Sequence, residues 1–232
     1  MSELAIKTVD DLKNLDRFYR ANFINSMVGS KQASLIGTVG KNSCTNLSLF
    51  SSTTHLGSNP PLIALFSRPA TKEPKQTLSN IISTGFFTIN HVNESILVRS
   101  HSCSFKFLDH ESEFDSCALT EEYHDGINAP FVKESFTSMG LKYSRHFPIE
   151  ENGVTMIIGE VKLVRYSKQF IQSNGELNFD SSKSIAVAGN NTYYGLNKIK
   201  TLDYIDKSQK KILTKSVQDE SNKTSKEISK GV

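Results

Sequence analysis

No apolar run in the 232-residue chain approaches the roughly 20 residues that a membrane-spanning helix needs. The opening stretch MSELAIKTVDDLKNLDRF is charged and mixed, so it lacks the apolar centre of a secretory leader. Cysteine is scarce. Cys44, Cys103 and Cys117 are odd in number, scattered, and form no CxxC pair. That composition argues against the disulfide framework of a small secreted domain and for free thiols in a reducing compartment, so a cytoplasmic protein is expected. Taken with His101 and His110, Cys103 and Cys117 fit no standard zinc spacing, and no metal site is expected. A GxGxxG turn, a P-loop, a nucleophilic triad and paired catalytic carboxylates are all missing.

Excess charge of one sign is also lacking once its location is considered. The formal net charge is +3, from 27 basic and 24 acidic residues. Seven lysines and three acids fall within residues 207–232, which leaves 20 basic and 21 acidic residues in the body. A nearly neutral body gives no warrant for a nucleic-acid groove. The change to Lys, Ser, Asn and Glu without aromatics beyond Asp206 divides the chain into a domain over 1–206 and a polar tail over 207–232.

What the chain does have is a succession of short strand patterns. Leu12, Leu15 and Phe18 fall at helical spacing, and Asp10 can cap a helix over residues 8–20. Residues 33–39 and the run from Cys44 flank the turn GKNS and read as a hairpin. The SNPP at 58–61 interrupts the chain, and LIALFS at 62–67 follows as an apolar strand. Leu78, Ile81 and Ile82 form an apolar helical stripe that Gly85 ends. FFTIN at 86–90 is another strand, and residues 95–117 read as helical or irregular. Two long strands over 131–149 and 153–168 are joined by a turn at Glu150–Gly153, and SNGEL at 173–177 is a tight turn. Many short strands with few helices predict a closed barrel with helices outside it.

The stretch NLSLFSSTTHLGSNPPLIALFS, residues 46–67, is too apolar for a plain loop and too rich in hydroxyls for a plain core strand. Small polar side chains on a rigid strand would let a flat, hydrogen-bonding ring approach the backbone closely. Asn46, Ser48, Ser51, Ser52 and Thr53 are of that type. Ser51 and Ser52 face opposite sides of an ideal strand, so a bulge or bend is expected there if both are to reach one ligand.

The ordered series INSMVGSKQASLIGTV, NLSLFSS, SNPP and KQTLSNIISTGFFTIN resembles the flavin reductase-like family, the FMN-binding split barrels that include flavoredoxin. Weaker agreement continues through NAPFVKES and GEVKLVRY to GNNTYYGL. The resemblance implies a mainly β fold, a six-stranded Greek-key split barrel with flanking helices. It also implies a homodimer with FMN near the subunit interface. Asn46, Ser48, Phe50, Ser51, Ser52 and Thr53 would then meet the ring. In RPATKEPKQT, Lys75 and Thr77 match the family's phosphate-binding positions, with Arg68 as a further cation. Asn80 matches a family motif position and serves equally well as a structural hydrogen-bonding residue. His55 could approach the ring or pack in a strand. Asn190, Asn191, Tyr193 and Tyr194 could border a flavin, and core packing is the stronger reading for the two tyrosines. The implied activity is an oxidoreductase taking hydride from NAD(P)H through FMN to an acceptor that the sequence does not identify; an FMN carrier or electron-transfer protein is the alternative.

The polar tail generates one test. Deletion of residues 207–232 is expected to leave flavin binding and thermal stability unchanged. A truncated protein that is insoluble or colourless would show that the tail packs on the barrel.

Overall fold

The computed structural model describes residues 4–70, 75–108 and 110–202. The expected tail at 207–232 lies outside the described residues. The fold below belongs to the unit that ends at Asn197; of the segment beyond it, only 198–202 are described, without helix or strand.

The amino-terminal region forms two helices in place of one, α1 (Val9–Lys13) and α2 (Arg17–Met27). Local capping explains the division. Thr8, not Asp10, starts α1: its hydroxyl accepts the Asp11 N–H at 3.2 Å, and the Asp11 carboxylate accepts the Thr8 N–H at 2.7 Å. Asp16 then accepts the N–H groups of Phe18 and Tyr19 at 2.9 and 3.0 Å, which begins a new helix. Neither helix buries a residue, and Phe18, expected on an apolar stripe, is 74% exposed.

Strand β1 (Lys31–Gln32) leads into β2 (Ser34–Val39), which turns at residues 40–44 into β3 (Thr45–Phe50). After Ser51 and Ser52 come β4 (Thr53–Ser58) and β5 (Pro61–Ser67), paired as a hairpin across the proline turn. Helix α3 (Gln76–Thr84) ends at Gly85, whose φ of +78° is the left-handed cap that a Cβ would disfavour. It buries Ile81, whereas Ile82 of the expected stripe is 45% exposed. Strand β6 (Phe86–His91) follows directly. Short helices α4 (Leu97–Ser102) and α5 (Glu113–Ser116) fill the irregular region. A hairpin of β7 (Glu121–His124) and β8 (Ile127–Val132) precedes the two long strands β9 (Thr137–Ile149) and β10 (Val154–Tyr166). Helix α6 (Phe179–Ser182) leads to β11 (Ile185–Ala188) and β12 (Thr192–Gly195), which pair with β1 in a small separate sheet.

The main sheet has seven antiparallel strands in the order β3-β2-β6-β9-β10-β5-β4, one more than the six expected. Its two edges are consecutive in the chain. Laid flat, six spacings of about 4.8 Å would separate those edges by roughly 29 Å. The connection from Phe50 to Thr53 spans at most about 11 Å, so the sheet must curl until its edges approach. The core confirms the curl: Ile36 of β2, Phe87 and Ile89 of β6, Leu141 of β9, Ile157 of β10 and Leu65 of β5 form one fully buried cluster beneath Ile81. A second cluster, with Leu35, Leu47, Val92, Phe114, Leu119 and Val187, lies on the outer face and anchors α5 and the small sheet.

Gly159 sits at a register shift in β10, directly against a core ring. A Cβ there would lie 2.5 Å from the Phe87 ring. Gly159→Ala is therefore expected to cost about 1–3 kcal/mol by overpacking, measured by urea unfolding. Adding Phe87→Leu should recover part of that loss, whereas additive losses would show that ring contact is not the cause.

Candidate functional site

The bend that joins β3 to β4 is also the floor of the principal cavity, a space of about 600 Å³. Ser51 and Ser52 belong to neither strand, as the expected irregularity requires. Ser52 is tied to β5: its hydroxyl donates to the Phe66 carbonyl at 2.8 Å, and its own carbonyl accepts the Phe66 N–H at 3.0 Å. Ser48 and Phe50 extend the floor along β3.

One side of the cavity is cationic. Arg68 follows β5, and Lys75 stands at the start of α3. Lys75 offers no side-chain cap to the helix, so the first-turn N–H groups of α3 receive no side-chain acceptor from that position. Gln76 and Thr77 line the cavity beside it. The opposite wall is aromatic. Phe105 and Phe107 meet edge to face at 5.2 Å, and Tyr193 on β12 lies 2.7 Å through its hydroxyl from His101 Nδ1. Asn190 and Asn191 complete that wall. The Asn190 N–H donates to Asn22 Oδ1 of α2 at 2.9 Å. Gly189 beside it has φ +63° and leaves a Cβ only 2.3 Å from the same oxygen.

Of the ten residues assigned to FMN from the sequence, seven border one cavity: Ser48, Phe50, Ser51, Ser52, Arg68, Lys75 and Thr77; Asn190, Asn191 and Tyr193, also singled out, border it too. Three of the ten do not. Thr53 lies on β4 and pairs with Leu65. Asn46 is 4% exposed beneath the floor, and Asn80 donates to Thr38 Oγ1 at 3.1 Å. His55 points to Ser58 at 3.2 Å on the exposed hairpin, and Tyr194 faces away from the cavity lining. The wall from Cys103 to Phe107 was not legible, since SFKF has no periodicity; its alternation of aromatic and cationic residues was the available signal.

Asn46 organises the layer under the site. Its side-chain oxygen accepts from Thr38 at 3.2 Å and Thr77 at 3.1 Å. Its amide donates to Glu113 at 2.8 Å, with Gln76 at 3.4 Å. Thr77 also lies 3.1 Å from Ser48. Glu113 is 4% exposed, and its second oxygen accepts the Leu47 N–H at 2.8 Å. The carboxylate thereby satisfies a backbone donor on the outer edge of β3. Desolvation pushes the Glu113 carboxyl above its ordinary range, against the hydrogen bonds from Leu47 and Asn46 that pull it down.

Residues 30–182 match the family model of the flavin reductase like domain. A protein of Shewanella frigidimarina NCIMB 400, described as a flavin reductase with a split-barrel domain, is 39% identical to this chain. It superposes with a TM-score of 0.82 over 85% of this chain and 98% of that one. Nitrilotriacetate monooxygenase component B from Bacillus cereus, 20% identical, superposes at 0.77 over 87% of this chain and all of its own. Flavoredoxin of Desulfovibrio vulgaris (Miyazaki F), also 20% identical, gives 0.66 over 76% and 92% of the two chains. The last two share the fold.

The buried network predicts a pH-dependent variant. Asn46→Ala removes a donor from Glu113 and should cost about 1–3 kcal/mol at neutral pH. It also removes a hydrogen bond that lowers the Glu113 pKa, so the carboxyl should rise further in the folded state. A raised acid is no burden below its unfolded pKa and weakens the fold as pH rises through the folded one. The deficit relative to the parent should therefore be smallest near pH 4 and deepen toward pH 7. A pH-independent deficit in chemical denaturation would exclude this coupling.

Proposed function

The chain belongs to the flavin reductase-like family, and from that premise we propose that it is an FMN-dependent oxidoreductase that receives hydride from NAD(P)H and passes electrons to a further acceptor. The observation that carries this reading is the union, in one cavity, of the hydroxyl bend at Ser51–Ser52 with the cationic start of α3. The residues present fit the cofactor. A phosphate is favoured where Arg68 and Lys75 stand beside helical N–H groups that the Lys75 side chain does not cap. A flat ring is favoured on the bend, where strand pairing is interrupted and the polar side chains are small. The volume lies within the usual range of small-molecule sites.

Bound flavin would supply the hydride chemistry, and the protein supplies position, electrostatics and exclusion of water. Arg68 and Lys75 hold the anionic end. Ser48, Ser51 and Ser52 set the depth of the ring against the floor, and Phe105 and Phe107 cover the opposite side. Asn46 keeps β3 in place from below, and Glu113, which holds the Leu47 N–H, also borders the cavity. Among the described residues no helix is long and apolar enough to cross a membrane, and the free thiols suit the cytoplasm. The homodimer implied by the family is supported by α2, which buries nothing and exposes 55% of Tyr19 and 67% of Met27, about two turns apart on one side of the helix. A second copy of the chain would cover that face.

The deciding experiment is anaerobic addition of NADH and NADPH in turn to the FMN-loaded protein. Bleaching of the flavin's visible absorption by at least one nucleotide is expected. Bleaching by dithionite alone would mark an electron carrier and overturn the reductase reading. The anion site makes a further prediction. Arg68→Ala and Lys75→Ala should each weaken FMN by about 1.5–3 kcal/mol, roughly 10- to 150-fold, and riboflavin much less. Equal losses for both ligands, measured by fluorescence titration, would place the phosphate elsewhere.

A further inference from the structure

Two thiols lie against the cavity without a part in the reading above. Cys103 follows α4 and Cys117 follows α5, at 3% and 6% exposure in the same apolar cluster as Ile96, Phe114 and Leu119. Both are free, they share that cluster, and each perturbs the other; the Cys103 thiol donates to the Arg99 carbonyl at 3.4 Å. Their placement is two-sided. Cys103 borders the principal cavity, and Cys117 borders a second cavity of about 570 Å³ that also reaches Ser116 and His101. Phe105, Phe107 and Asn191 border both cavities, so the thiol pair stands in the partition between them.

We propose that Cys103 and Cys117 are a redox-active pair that interconverts between dithiol and disulfide, with flavin in the principal cavity as its two-electron partner. The inference rests on the flavin reading above. In the oxidising direction each thiol loses its S–H proton and one Sγ–Sγ bond forms. Two electrons and two protons pass to oxidised flavin, which becomes the fully reduced form. In the reverse direction the S–S bond breaks, two S–H bonds form, and flavin returns to its oxidised state. No other oxidant or reductant enters the balance.

The surroundings suit a buried pair with a single partner. Desolvation pushes both thiols up, and the nearby Glu113 charge adds to this. Neither is therefore a standing thiolate open to stray alkylation. Neither gains the stabilisation of the reduced form that makes some disulfides strong oxidants. Closure would also join the two ends of the segment that carries Phe105, Phe107 and Glu113. The state of the pair would then bear on the wall and on the underside of the same cavity.

The test uses the full chain loaded with FMN, oxidised with diamide, desalted, and titrated anaerobically with dithionite. The parent should take up twice the electrons per flavin that Cys103→Ala and Cys117→Ala take up. Peptide mapping of the oxidised parent should show Cys103 linked to Cys117, and the link should vanish after the titration. Because the parent itself supplies the decisive count, a poorly folded variant does not remove the test. A parent that binds FMN but takes up no more than the flavin's own two electrons overturns the inference, whether or not the link has formed. A parent with no flavin absorption after loading overturns the flavin reading and, with it, the partner assigned to this pair.

Discussion

The structure depends on a topological constraint at Ser51–Ser52. Strand β3 lies at one edge of the seven-stranded sheet and β4 at the other, yet two residues join them. Nothing but a curled sheet satisfies that connection. The curl encloses Ile36, Leu65, Phe87 and Ile157 in one interior, and it prevents the bend from taking part in a continuous ladder. Fold stability and an interrupted, hydroxyl-bearing backbone thus have one origin. The cavity lies where the barrel cannot complete its own hydrogen bonding as an uninterrupted strand.

A second layer holds that bend in register. Edge strands present unpaired backbone groups, and β3 is secured by side chains in place of another strand. Glu113 takes the Leu47 N–H, while Ser112 and Glu121 both meet the Thr45 hydroxyl at 2.6 Å. Asn46 then links this edge to α3 through Thr77, and to Asn80 through Thr38. The helix start that carries Lys75 and the strand that carries the hydroxyls are fixed to each other by one buried amide. Buried polar groups of this kind are costly unless satisfied, and here every polar atom of Asn46 has a partner.

Much of this was legible in the residues, and the exceptions have physical reasons. The hairpin of β2 and β3, strand β6 and the long pair β9 and β10 follow from apolar runs bounded by turn residues. Gly85 marked the end of α3 correctly because only a left-handed cap suits it. The seventh strand, β4, escaped notice because TTHLGS is largely exposed and lacks alternation. The small sheet of β1, β11 and β12 is built from pieces of two to four residues, too short to carry a period. Part of the hydroxyl stretch lines the cavity floor. It could not separate Ser48, which faces the cavity, from Asn46, which supports it from beneath, because the two are two residues apart on the same strand and differ only in which neighbours surround them. The aromatic wall depended on a long-range juxtaposition, which the alternation of aromatic and cationic residues in SFKF could not by itself specify.

The link between Asn22 and the Asn190 turn has a consequence for how the protein is made. The floor and the cationic side of the cavity come from residues 48–77, early in the chain. The last wall is supplied by residues 187–193, and it is positioned by α2, which precedes the barrel strands in the chain. On the ribosome, where segments emerge from the amino terminus onward, the barrel's first hairpin can form long before its pocket is whole. Completion of the cavity is therefore a late event in biogenesis, and a nascent chain stalled before residue 187 would carry only part of its lining.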